Sequence, residues 1–387
     1  RLNMATLNET PKANRIHIAF FGLRNAGKST LVNAFTNQQI AIVSDVAGTT
    51  TDPVSKAMEI LPLGPCLVTD TAGLDDVGEL GRLRVEKTLG VLATADVAVW
   101  VHGDGSDDVP WRDFAAECAA RRIAVVEYRR GDSVEGLRQK IAALKLVDDT
   151  PGLLEGFVGK DDRVICVCPI DESAPKGRLI LPQVQVIRDC LDRHVACTVC
   201  QVEELPECLE VGLSGLRGRL VVITDSQAFP LVDRAIRRAD DSRVSLTSFS
   251  ILFARQKGNL GAFLAGLEAV PALEDGARVL IAEGCTHHRQ CNDIGQTKIP
   301  QALAKLTGGR RLVFSFASGN TFPVGGSDGS ATGAFALVVQ CGGCMLMRRE
   351  MLRRIGICRA AGVPIVNYGL LLARAAGIDV AAVAAPD

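Results

Sequence analysis

Ile16-His-Ile-Ala-Phe-Phe21 is a short, mostly apolar run that passes straight into Gly22-Leu-Arg-Asn-Ala-Gly27-Lys28-Ser29, and a helical pattern of period 3.6 opens at Thr30. Strand, G-x-x-x-x-G-K-S, helix is the context that a phosphate-binding loop requires, and it commits the first part of the chain to an α/β fold. The backbone of Gly22, Asn25, Ala26, Gly27, Lys28, Ser29 and Thr30 is expected to line a nucleotide's phosphates. Lys28 would reach the β/γ oxygens, and the Ser29 hydroxyl would ligate Mg²⁺. Downstream, Leu67-Val-Thr-Asp70-Thr-Ala-Gly73 reads as a second strand. Asp70 would hold Mg²⁺ through water, and the Gly73 N–H is placed for a γ-phosphate. A plain turn aspartate is the competing reading of Asp70.

The rest of the chain is bounded by composition. With 387 residues it has room for two or three domains, and 47% hydrophobic with only 4% aromatic suits aliphatic, parallel-sheet cores. A net charge of −1 offers no field for capturing nucleic acid or an anionic membrane, so neither partner is expected. No apolar run reaches the length of a membrane span and no signal peptide is evident. The 13 cysteines are scattered, which predicts a reducing cytoplasm and mostly buried, structural thiols.

Two cysteine groups stand apart because of where they fall. Cys341-Gly-Gly-Cys344 follows the apolar run Ala334 to Val339, and Cys285-Thr-His287-His288 follows the run Ala277 to Glu283. Each set ends a predicted buried strand, and ligands of open α/β sheets bind beyond the carboxyl ends of the strands. Two thiols spaced i,i+3, with a third from another strand, make a metal or iron–sulfur site the first hypothesis. The three converge only if the two strands are neighbours in one parallel sheet, with a helix at Ile299 to Leu306 and a strand at Leu312 to Phe316 as crossover. Cys344 is expected to open a helix, Met345 to Ile355, whose N-terminus would lower its pKa. Between these groups and the phosphate loop, strands at Arg163–Cys168, Val195–Val199, Leu220–Ile223 and Ser242–Leu246 alternate with helices at Pro182–Arg193 and Ala228–Arg238. Cys197-Thr-Val-Cys200 lies inside one of these strands, where alternation turns its two thiols to opposite faces, so structural roles are expected. The same holds for Cys166 and Cys168.

Asp45-Val-Ala-Gly-Thr49-Thr50-Thr51-Asp52-Pro53 resembles the first switch segment of the TrmE–Era–EngA group of translational GTPases. The resemblance makes Thr50 the Mg²⁺-sensing threonine. Leu74 replaces a water-orienting glutamine after Gly73, and Asn25 sits where the potassium-activated members place theirs. K⁺ between the phosphates would then supply the charge an arginine finger gives elsewhere; Asn25 as a turn residue stays open. The guanine-reading Asn-Lys-x-Asp is altered to Arg129-Arg130-Gly131-Asp132. Asp132 is either the guanine acceptor or the N-cap of the following helix.

Ala174–Gln185, Thr224–Phe229, Leu246–Ala254, Asp293–Pro300 and Asn367-Tyr-Gly369 resemble HydF, the family of GTPase maturases of [FeFe]-hydrogenase, over nearly the whole chain. The resemblance implies a Ras-like P-loop GTPase domain (1–150), followed by two smaller α/β domains with mainly parallel sheets: a dimerisation domain (151–262) and an iron–sulfur domain (263–387). It implies GTP, Mg²⁺ and a [4Fe–4S] cluster as cofactors. It also implies a homodimer, and a di-iron precursor received from radical-SAM maturases and passed to apo-[FeFe]-hydrogenase. The family signature, Cys-x-His and later His-Cys-x-x-Cys, falls on Cys285, His287, Cys341 and Cys344, with Gln340 in place of the second histidine. Three thiolates with an open fourth iron position are therefore expected, since an amide ligates iron poorly. His287 is fourth ligand, outer donor or solvated loop residue; Cys291 matches no family position and is read as packing. Two other readings compete: a ribosome- or tRNA-associated GTPase, and a scaffold with a vestigial G domain.

Overall fold

The structure, a computed structural model, describes residues 15–36, 54–75, 78–103, 108–144, 146, 150–170, 179–284, 294–319, 322–323 and 332–384. The chain divides into two compact units, Arg1–Asp149 and Thr150–Asp387.

The first unit contains β1 (Ile16–Phe21), α1 (Lys28–Thr36), β2 (Val54–Ile60), β3 (Gly64–Asp70), α2 (Gly78–Leu92), β4 (Val97–Val101), α3 (Asp108–Ala120), β5 (Ala124–Tyr128) and α4 (Val134–Ala142). Its sheet runs β2-β3-β1-β4-β5, with β2 antiparallel and the remaining pairs parallel, the Ras-like order. β1 and β4 are buried almost throughout because α1 and α4 pack on one face while α3 packs on the other. Phe20, Val97 and Val99 accordingly face Phe35, Leu137 and Ile141, and Phe21 and Trp100 face Phe114 and Cys118. The alternation of β1 is thus hidden in the sequence, since both of its faces are apolar.

The second unit comprises β6 (Arg163–Val167), α5 (Leu181–Asp192), β7 (Cys197–Cys200), α6 (Leu205–Leu213), β8 (Leu220–Thr224), α7 (Phe229–Ala239), β9 (Val244–Ser248), α8 (Phe249–Lys257) and α9 (Leu260–Glu268). These are followed by β10 (Arg278–Glu283), α10 (Ile299–Leu306), β11 (Val313–Ser318), β12 (Leu337–Gln340), α11 (Arg348–Ala360), β13 (Ile365–Asn367), α12 (Tyr368–Ala376) and α13 (Val380–Ala384). Two all-parallel sheets result, ordered β7-β6-β8-β9 and β11-β10-β12-β13. One apolar cluster reaches from Ile165, Val167 and Val222 in the first sheet, through Ile251 of α8 and Leu371 of α12, to Val279, Ile281 and Val338 in the second. The opposite faces of β6 and β8 present Val164, Cys166, Val221 and Ile223 to Val186 and Phe253.

That alternation decides the middle cysteines. Cys166 and Cys168 are core residues; Cys197 packs on their side of the sheet, while Cys200 joins the opposite cluster. The expected strands at Val195–Val199 and Ser242–Leu246 lie about two residues later, as β7 and β9. The helix expected to begin at Met345 begins at Arg348, with Met347 at its N-cap.

Candidate functional site

In the first unit β1 delivers the chain into a loop built on three residues with positive φ: Gly22 at 151°, Asn25 at 62° and Gly27 at 86°. A Cβ on Gly22 would stand 2.5 Å from the Val101 carbonyl oxygen, so close backbone approach as well as conformation demands glycine there. Asn25 takes the left-handed conformation that short polar side chains tolerate. Lys28 is buried with its Nζ folded onto the loop, donating to the Gly22 (3.2 Å) and Leu23 (2.7 Å) carbonyls.

β1 and β3 pair in parallel, which sets Asp70, the last residue of β3, opposite Phe20, two residues before the loop opens at Gly22. The Ser29 hydroxyl donates to Asp70 Oδ2 at 2.6 Å, while the buried Oδ1 has no partner among the described residues. Burial holds the Asp70 carboxyl above its usual range in spite of the Ser29 hydrogen bond and the Lys28 charge. An all-oxygen pair with one orphaned atom fits a hard cation such as Mg²⁺. Gly73 packs against the loop as well: a Cβ there would lie 2.8 Å from the Arg24 nitrogen. Asp75, which the sequence reading did not single out, accepts that Arg24 N–H at 2.6 Å and ties the two segments together. Thr50 and the whole of residues 37–53 lie outside the described residues.

At the end of β5 the altered base motif forms a turn. Asp132 Oδ2 accepts the Arg129 N–H at 3.0 Å, and the Arg129 guanidinium bonds Glu127 at 3.0 Å. The N-cap of α4 is Ser133, whose Oγ accepts from Gly136 at 2.9 Å, so the N-cap alternative for Asp132 is corrected. Chain geometry explains the difference: Asp132 is used within its own turn, and the hydroxyl one residue later has the extended backbone that a cap needs.

In the second unit β10 and β12 are parallel neighbours with Ala282 opposite Gln340, the condition for the two cysteine groups to meet. The Cys341 N–H continues the ladder to the Ala282 carbonyl at 2.9 Å, and the Gly284 N–H donates to Cys341 Sγ at 3.0 Å. Gly284 is followed by Cys285, which with His287 and Cys291 lies outside the described residues. Among the described residues no three His, Cys, Asp or Glu side chains cluster as a metal site. Beyond Cys341 the chain turns at Gly343, with φ of 70°, and Leu346 N–H closes the turn onto the Gly343 carbonyl at 3.0 Å.

Lys257, at the end of α8, lies beneath this turn, and no sequence argument pointed to it. Its Nζ donates to the carbonyls of Gly343 (3.2 Å), Cys344 (2.9 Å) and Leu346 (2.8 Å) and stands 5.0 Å over the Phe253 ring. Among the described residues no carboxylate pairs with it, and burial pushes its pKa down to about 8. In the sequence Lys257 follows the mostly apolar stretch Phe249–Ala254 after Arg255 and Gln256, a place that marks it as no more than a helix-end cation.

Cys341 and Cys344 keep part of their surface exposed, yet burial still pushes both thiols up, Cys344 to about 11. The helix-terminus argument for Cys344 is thereby corrected: α11 starts beyond the turn, and desolvation outweighs the nearby Lys257 charge. Metal binding reverses this balance, because a coordinated thiol gives up its proton. Soft thiol donors, a backbone N–H aimed at one sulfur and a buried cation without a carboxylate partner suit an anionic iron–sulfur group. At the neighbouring end of β13, Asn367 is buried with its Nδ2 unpartnered among the described residues.

Comparison with known proteins matches three segments of the chain. Residues 17–128 match the model of the 50S ribosome-binding GTPases, 153–258 that of the hydrogen maturase F dimerization domain, and 261–384 that of the hydrogen maturase F tetramerization domain. Among curated proteins, the tRNA modification GTPase MnmE of Ralstonia nicotianae is 36% identical over 114 residues, covering 29% of this chain and 23% of its own. MnmE of Herminiimonas arsenicoxydans is 40% identical over 88 residues, covering 22% and 19%. The chain thus spans about a quarter or less of these relatives' length. Among solved structures, Era of Aquifex aeolicus bound to GDP and AlF4⁻ aligns over 78% of this chain and 92% of its own at 16% identity and a TM-score of 0.27. Toc33 of Arabidopsis thaliana with GDP and Mg²⁺ aligns over 49% and 71% at 19% identity and a TM-score of 0.20.

Proposed function

Since the chain belongs to the hydrogen maturase F family and carries a GTPase domain, we propose that it hydrolyses GTP and serves as the iron–sulfur scaffold in maturation of [FeFe]-hydrogenase. In the G domain, Lys28 takes the charge of the β/γ oxygens, while Ser29 and Asp70 hold Mg²⁺ with Thr50 as the sensing residue. Asn25 positions K⁺, and Asp132 reads the base.

In the last domain Cys285, Cys341 and Cys344 hold a [4Fe–4S] cluster, with His287 the candidate for a further contact. A cluster held by these residues would supply the iron chemistry needed to carry a di-iron fragment. The protein's own part is to orient two thiols with the Gly343 turn, to balance their charge with Lys257 and to donate the Gly284 N–H to sulfur. The pairing of β10 with β12, which brings Gly284 N–H to Cys341 Sγ, is the observation that carries this reading. The di-iron cargo would come from radical-SAM maturases and leave to apo-hydrogenase.

The domains are assigned as 1–150, 151–262 and 263–387. Dimerization and tetramerization models match the second unit, which supports self-association. The edge strand β7 carries exposed Val199 beside a cavity of about 590 Å³ lined by Ile170, Leu179 and Val211, a surface suited to a homodimer. Among the described residues no helix is long and apolar enough to cross a membrane.

The test is anaerobic reconstitution with ferrous iron and sulfide, followed by iron and sulfide counts and EPR of the reduced protein. Cys341→Ala and Cys344→Ala should each lose the signal, and Cys197→Ala and Cys200→Ala should keep it. A full cluster in Cys341→Ala, or its loss in the Cys197 and Cys200 variants, places the metal elsewhere.

A further inference from the structure

Gln340, the last residue of β12, is completely buried, and its amide has a neighbour that settles which way it faces. Arg354 of α11 donates from Nη1 to Gln340 Oε1 at 3.1 Å, and a guanidinium can only donate, so the oxygen must point at Arg354. Arg354 has no freedom to do otherwise. Its Nε bonds Glu350 Oε1 at 2.8 Å, its Nη2 donates to the Gly319 carbonyl, and its guanidinium lies 4.9 Å from the Phe322 ring centroid. Burial alone would raise the Glu350 carboxyl, but the hydrogen bonds and charges of Arg353 and Arg354 hold it below its usual range, so the anchor stays charged.

With its oxygen turned to Arg354, the amide presents Nε2 to Cys341, 3.5 Å from Sγ and 3.4 Å from the Cys341 carbonyl oxygen. We propose that Gln340 is a positioning residue of the iron–sulfur site: held by Arg354, it donates an N–H to the Cys341 sulfur, beside the one from Gly284, and is not an iron ligand. The inference rests on the cluster reading above. Its consequence is electrostatic, because hydrogen bonds to a ligating sulfur stabilise the added electron and raise the reduction potential of the cluster. A carbonyl engaged by a buried arginine cannot also approach iron without leaving that arginine unsatisfied.

The experiment compares Gln340→Met and Gln340→Glu with the wild-type full chain, all reconstituted anaerobically with ferrous iron and sulfide, by EPR-monitored redox titration and iron counts. Methionine keeps the length and removes the donors; glutamate keeps the Arg354 partner and replaces the donor with an oxygen. Both variants should load four irons and titrate at a more negative potential than wild type. A wild-type potential in either loaded variant overturns the hydrogen bond. Loss of one iron, seen as a three-iron EPR signal, overturns the role in the other direction by making Gln340 a ligand. Failure of the cluster reading looks different: wild type takes up no cluster, or Cys341→Ala keeps it.

Discussion

Gly343→Ala perturbs the cysteine loop at the point where its conformation is most demanding. Gly343 sits at φ of 70°, where an L side chain costs ~1–2 kcal/mol. Its new methyl would overlap the methyl end of Met351, a fully buried side chain that must leave its rotamer at ~0.5–1.5 kcal/mol. Together these amount to about 1.5–3.5 kcal/mol within the turn that Lys257 pins through the carbonyls of Gly343, Cys344 and Leu346. If the apoprotein escapes this strain by leaving the turn and loading restores it, iron loading should weaken ~10- to 300-fold. If the apoprotein instead keeps the turn, a unit of this size should melt ~3–14 °C lower. Gly356→Ala is the internal control, because Gly356 is exposed inside α11 and a Cβ there meets nothing within 4 Å. It should stabilise the same unit by ~0.5–1 kcal/mol through helix propensity alone. Thermal melts followed by circular dichroism, together with iron titration under anaerobic conditions, read both effects. Loading and melting of Gly343→Ala equal to wild type, or a shift of the same sign in both variants, would refute the reasoning.

Gly266→Ala should be more damaging still, about 3 kcal/mol or more, because a methyl there overlaps the backbone carbonyl of Ile365 where α9 lies against β13; a melting shift below ~2 °C would contradict that packing. In the G domain, hydrolysis should be faster in potassium than in sodium and lose that preference in Asn25→Ala, while equal steady-state rates in both salts would dismiss the cation. Lys28→Ala should abolish GTP binding or hydrolysis, measured with a fluorescent nucleotide and by phosphate release. Excess ATP competing as well as GTP would show that the Asp132 turn does not read guanine.

What could be read along the chain was whatever is local. The phosphate loop was legible because its chemistry is contiguous: an apolar strand, glycines at the turn, then Lys28 and Ser29 on the first helical turn. Strands ending just before Cys341 and near Cys285 were legible as apolar runs stopped by polar residues, glycine and cysteine. The helix Ile299–Leu306 was legible as crossover material between them. Whether β10 and β12 are neighbours was only a condition in the sequence; strand order is a property of the whole sheet, and the register of Ala282 with Gln340 met that condition. The environment of the Cys344 thiol was misjudged because a dipole argument weighs only the local helix. In the structure the chain between Cys341 and Met347 forms a turn whose carbonyls face a lysine 87 residues away in sequence from Cys344, and desolvation governs both sulfurs. The roles of Gln340 and Arg354 were hidden for the same reason. A buried amide takes its orientation from the one group that can only donate to it, and packing of α11 on the end of β12 alone brings that group there.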